Sequence, residues 1–79
     1  MSEPKIVLCP GDIVENVWAP LYGFVGATHG VEHWLYVGSS AMFLGWSEDR
    51  RRPLMLLSTG VVIQMPMDDR LIQKSFRKL

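Results

Sequence analysis

Cys9, His29 and His33 are the residues of this chain whose chemistry reaches furthest. A thiolate next to an imidazole that acts as general base is the working pair of thiol hydrolases and acyltransferases, and such pairs are assembled in space, not by spacing. The local context of Cys9 argues for another role. It follows Lys5-Ile6-Val7-Leu8 and precedes a Pro10-Gly11 turn, whereas reactive thiols favour helix N-termini, where the dipole lowers their pKa. A buried structural cysteine is the expectation. The same histidines, with Cys9, Asp12 or Glu32, contain metal-ligand types. However, His-x3-His brings two imidazoles together only on a helix, and Gly30 and the β-type run after it argue against a helix there. No metal or other cofactor is expected, His29 reads as a turn residue, and His33 reads as a half-buried ring at the start of a strand.

A second chemistry lies in the cations. Residues 1–47 carry Glu3, Asp12, Glu15 and Glu32 against Lys5, while residues 48–79 carry seven basic side chains against four acidic ones. Arg50, Arg51 and Arg52, with the basic stripe of the C-terminal segment and Trp46 as a stacking surface, are the ingredients of single-strand nucleic-acid binding. Glu48 and Asp49 adjoin the arginines, and the formal net charge of zero excludes a whole-molecule polycation or an acidic DNA mimic. A solvated loop and helix face are the simpler reading, with nucleic acid as an alternative partner.

The third feature is the load of large side chains: three tryptophans, two tyrosines, three phenylalanines and five methionines, more than a core of this size can hide. Trp18, ahead of Ala19-Pro20, and Trp46, beside the arginine loop, are the rings expected at the surface. Trp and Arg are the residue types enriched in interface hot spots. The expected binding residues are therefore Trp18, Trp46, Arg50, Arg51 and Arg52.

The elements that must position these residues are short. Lys5 to Leu8 reads as a strand ending in the Pro10-Gly11-Asp12 turn. Ile13 to Val17 is a β-branched strand that Pro20 terminates. Tyr22 to Ala27 alternates aromatic or β-branched residues with Gly23 and Gly26, as a bent strand does where another backbone comes close. His33 to Val37 and Ala41 to Trp46, separated by Gly38-Ser39-Ser40, read as a hairpin. Leu54 to Leu57 and Val61 to Met65, around Ser58-Thr59-Gly60, read as a second, central one. After Pro66 the apolar period changes to about 3.6: Asp68 is an N-cap, Met67 and Ile72 a hydrophobic staple, and Ile72, Phe76 and Leu79 a helical stripe. The expected fold is mostly β within the α+β class. It is a small antiparallel barrel or bent sheet, SH3-like in plan, with strands within 5–65 and one C-terminal helix at about 68–78.

Seventy-nine residues support one core, so residues 1–79 form a single domain. The longest charge-free run, Asn16 to Thr28, contains Pro20, Gly23 and Gly26 and is too short to span a bilayer. No secretory apolar region precedes Pro10. One cysteine cannot form an internal disulfide, so a cytoplasmic location is expected.

Pro10-Gly11-Asp12-Ile13-Val14-Glu15, followed by His33-Trp34-Leu35-Tyr36-Val37-Gly38, resembles the first two strands of the lecithin:retinol acyltransferase group, relatives of the NlpC/P60 peptidases. The resemblance implies that His33 matches the family's general base. It covers about half the chain, and the polar residue expected on the next strand falls among Phe43, Leu44 and Gly45. The family's nucleophilic Asn-Cys helix has no counterpart, and Cys9 lies on the wrong side of the motif. The resemblance therefore implies a degenerate or truncated thiol acyltransferase or hydrolase-like domain using Cys9 and His33. The leading expectation is different: a non-enzymatic binding or regulatory module that sterically occludes a macromolecular partner, a protein before a nucleic acid, with a homodimer as one arrangement. In size and character such a chain resembles the inhibitors that phages and other mobile elements direct at host machinery.

Overall fold

The computed structural model describes residues 6–25 and 32–79. Seven strands and one short helix follow in the order β1 (Ile13–Asn16), β2 (Leu21–Phe24), β3 (Glu32–Leu35), β4 (Ser40–Trp46), β5 (Pro53–Leu57), β6 (Val62–Gln64), α1 (Asp69–Ser75) and β7 (Phe76–Lys78). They form one antiparallel sheet, ordered β3-β2-β6-β5-β4-β1-β7. The mostly-β class, the curled sheet and the single C-terminal helix are those expected from the sequence. The β5–β6 hairpin around Ser58-Thr59-Gly60 forms as read, and its strands lie centrally because both faces are apolar.

Cross-strand partners point to the same side of an antiparallel sheet, so the pairings sort the residues by face. Val14, Ala41 and Leu57 form one inward row, and Phe43, Met55 and Ile63 another. All six are buried, and Leu21, Leu35, Met65, Met67, Ile72 and Phe76 complete the core among the described residues. Gly23 lies over this core. A Cβ there would stand 2.8 Å from the Gln64 carbonyl oxygen and 2.8 Å from Ile63 Cδ1, so the bare glycine is what lets β6 approach β2. Gly26, His29 and the turn expected at Thr28-His29-Gly30 lie outside the described residues.

Four local readings are corrected. The hairpin expected between His33–Val37 and Ala41–Trp46 does not form. β3 ends at Leu35 and pairs with β2, while β4 pairs with β1 and β5. The intervening Tyr36–Ser39 turn docks on Asn16, whose backbone N–H donates to the Ser39 carbonyl and whose carbonyl accepts from the Gly38 N–H. A short Gly-Ser connection fits a hairpin, but the central place beside β1 and β5 buries Ala41 and Phe43, which an edge hairpin would leave half in water.

Residues 6–8, the described part of the strand expected at Lys5 to Leu8, are irregular, as is Cys9. The Gln73 side-chain amide holds them instead, accepting from the Ile6 N–H and donating to its carbonyl, both at 2.8 Å. Cys9, expected to be buried, is exposed. Residues 6–9 pair with no strand of the sheet, which leaves it at the surface. The helix is shorter than read: Asp68 caps it by accepting from the Leu71 N–H, but Phe76 is already extended. Phe76 to Lys78 pair with β1 as Asn16↔Phe76, Glu15↔Arg77 and Val14↔Lys78. Strand alternation still points Phe76 into the core, so the apolar spacing that suggested a helix also serves a turn of helix followed by a strand. Leu79, placed on the helical stripe, is exposed.

Candidate binding surfaces

Three surfaces carry the side chains of interest. The first begins at Trp46. β4 has a bulge between Phe43 and Gly45, with Gly45 opposite Leu54 and Trp46 opposite Pro53. The extra residue shifts the alternation, so Trp46 falls on the core side beside Phe43, with ring centroids 5.9 Å apart and the planes at 74°. Gly45, at φ 131°, accepts the bulge conformation that an L side chain rarely adopts. Trp46 therefore closes the barrel rim but remains partly open to two cavities. One, of about 690 Å³, is lined with Arg52, Leu54, Gln64 and the Ser47–Asp49 loop. The other, of about 250 Å³, lies between residues 6–8 and α1.

The loop after β4 is organised by Asp49. Its carboxylate accepts from the Ser47 hydroxyl and from the Arg51 backbone N–H, which hold its pKa below the ordinary value of 3.8. Arg50 takes φ 58° at the tip, leaving Arg51 and Arg52 to run back towards α1.

The second surface is the cleft these two arginines enter. Arg51 and Arg52 from the loop and Arg70 and Lys74 from α1 surround a floor of Pro66, Met67 and Leu71, in an open cavity of about 580 Å³. Asp68 is its single carboxylate, and one of its oxygens is occupied by the helix cap. Among the described residues, Arg51, Arg52 and Arg70 have no side-chain hydrogen bond or ion pair. Lys74 Nζ stands 4.4 Å from the centre of the Trp18 ring, a cation–π contact. Trp18 is placed there by Asn16, whose Oδ1 accepts from the Trp18 N–H, and by the bond from the Val17 N–H to the Ser75 carbonyl. Lys74 thus joins Trp18 to Arg51 and Arg52, whereas Trp46 meets that group only through Arg52, with which it lines the neighbouring cavity, and Arg50 lines neither cavity.

The third surface was missed in the sequence. Tyr22 pairs with Trp34 across β2 and β3 on the outer side of the sheet. Tyr22 lies 5.5 Å from both Phe24 and Trp34, and Trp34 stacks with Tyr36 at 6.3 Å and 19°. The fractional exposures of Trp34 (46%) and Tyr36 (59%) exceed that of Trp46 (38%). The outer face continues across the sheet with one apolar row, Ile13, Met42, Leu56 and Val62 as successive cross-strand partners, and a second in which Leu54 and Phe24 flank the polar Gln64. The alternation in Leu21-Tyr22-Gly23-Phe24 and His33-Trp34-Leu35-Tyr36 carried this signal; it becomes readable only when the two segments are known to pair with each other.

Cys9 precedes β1 and is exposed, whereas His33 faces the core side opposite Gly23 on β3, and no hydrogen bond joins the two side chains. Among the described residues, no group of three or more His, Cys, Asp or Glu side chains has the arrangement to hold a metal, and no helix is long and apolar enough to cross a membrane. Comparison with protein-family models, curated proteins and solved structures finds no match in any of the three.

Proposed function

We propose that the protein is a non-enzymatic binding module that occludes a protein partner, engaging it with the outer face of the sheet. The observation that carries this reading is the ladder formed by Tyr36, Trp34, Tyr22 and Phe24, with three of its four rings exposed, Tyr22 and Trp34 on paired strands and Tyr36 at the start of the turn after β3. Aromatic rings held on strands bury much area for little lost side-chain entropy, and exposed apolar groups of this extent favour association over solvation. The ladder continues through Gln64 and Leu54 to the cavity where Trp46 and Arg52 project, so two of the expected hot-spot residues lie at its end. The occupant is a partner with an apolar surface; occlusion of that surface requires no chemistry from the module.

The test compares wild type with Trp34→Ala/Tyr36→Ala in affinity capture, followed by titration of the captured protein in purified form. Both rings are exposed, so the fold should survive, which circular dichroism checks. Loss of at least tenfold in affinity is expected. Unchanged affinity for the purified partner, or self-association of the module through this face in sedimentation, would overturn the reading.

A further inference from the structure

The geometry points to a second site, which shares only Arg52 with the outer-face surface: the cleft between the β4–β5 loop and α1 binds single-stranded nucleic acid. Phosphates sit on Arg51, Arg52, Arg70 and Lys74, and a base lies against Trp18 or the apolar floor. Cations from two separate elements converge on one cavity, four of them against a single carboxylate. None of the three guanidinium groups is held in an ion pair or side-chain hydrogen bond among the described residues, although Arg51 and Arg52 lie near enough to Asp49 for their charge to help lower its pKa. Grouping like charges this way raises the energy of the free protein, and an anionic ligand relieves it. Arg70 and Lys74 are four residues apart on α1, so they repeat at about 6 Å along its axis, comparable to successive phosphates of an extended strand.

The remaining features select among anions. The cleft is open, which admits a chain that enters and leaves, and its floor of Pro66, Met67 and Leu71 offers apolar surface where a site for bare phosphate would need more donors. Trp18, 43% exposed and already paired with Lys74, supplies the aromatic surface beside the cations that single-strand binders combine with a basic groove. A duplex presents its bases edge-on and stacked, so it cannot use that ring.

Fluorescence anisotropy with a labelled oligothymidylate of about a dozen residues tests the site. Four neutralised phosphates give a slope of log K against log salt of about −3, or roughly fifty-fold weaker binding between about 50 and 200 mM salt. Arg51→Ala/Arg70→Ala should weaken binding at least tenfold and reduce the slope by about 1.4. Trp18→Ala should weaken binding with little change in slope. No binding, no effect of the double substitution, or equal affinity for a duplex of the same length would overturn the proposal. So would equal affinity for inorganic polyphosphate or a phosphopeptide with no effect of Trp18→Ala, because the site would then be a generic anion cleft. None of these substitutions touches the ladder, so Trp34→Ala/Tyr36→Ala should leave oligonucleotide binding intact and failure of one site leaves the other standing.

Discussion

The side-chain amide of Asn16 donates to the Leu35 carbonyl at 2.8 Å, and so ties the end of β1 to the edge strand β3 although four strands separate them in the sheet. Asn16 is fully buried, and its side-chain capacity is well used: the same Nδ2 donates to the Ala19 carbonyl at 2.7 Å, and Oδ1 accepts from the Trp18 N–H at 3.0 Å. One polar residue thus curls the sheet, fixes the β1–β2 turn and presents Trp18 to Lys74. A buried amide with both donors and its oxygen engaged is tolerated, but removing it leaves several backbone groups without partners.

Replacing Asn16 by Ala should therefore destabilise the protein by about 3 kcal/mol. Asn16→Asp should be at least as harmful at neutral pH, because an acceptor would then face the Leu35 and Ala19 carbonyls. Urea unfolding measures both, and a loss under about 1 kcal/mol for either would show that the barrel closes without this residue.

Gly23→Ala should cost roughly 1–3 kcal/mol, since its Cβ would meet backbone at the Gln64 carbonyl and the Ile63 side chain, and only a shift between β2 and β6 relieves both. Thermal unfolding reads the loss. A neutral substitution would mean that the two strands separate more easily than their packing indicates.

Asp12 supplies a pH dependence. Its carboxylate accepts from the Cys9 N–H at 2.8 Å and pairs with Lys78 Nζ at 3.1 Å, and these interactions hold its pKa below the ordinary 3.8. A carboxylate lowered on folding stabilises the fold above its unfolded pKa, and that contribution disappears as pH falls through the lowered folded value. The Tm advantage of wild type over Asp12→Asn should thus be present at neutral pH and shrink below about pH 4. A difference that stays constant across this range would assign the effect to the amide itself and not to the charge.

Cys9 is exposed and makes no hydrogen bond to His33. Iodoacetamide should label it in the folded protein at the rate of a simple accessible thiol, with no change in His33→Ala. Labelling many times faster than a free thiol, and dependent on His33, would restore the thiol hydrolase or acyltransferase reading.

What the sequence determined by itself was local. Gly60 turns the chain between β5 and β6, Asp68 is placed to cap the first turn after Pro66, and Leu54 to Leu57 is apolar on both faces, and each of these features acts within a few residues of itself. The charged loop at Arg50–Arg52 was visible for the same reason. The tertiary structure alone decided which strand β3 pairs with, and hence that Tyr22 and Trp34 form a ladder. It alone turned Trp46 inward through one extra residue in β4, and drew Phe76 out of the helix to pair with Asn16. Period-two and period-3.6 patterns fix which residues share a face of one element, but pairing depends on contacts between residues far apart in the chain. Their energies emerge only when the sheet has curled and Asn16 has found Leu35.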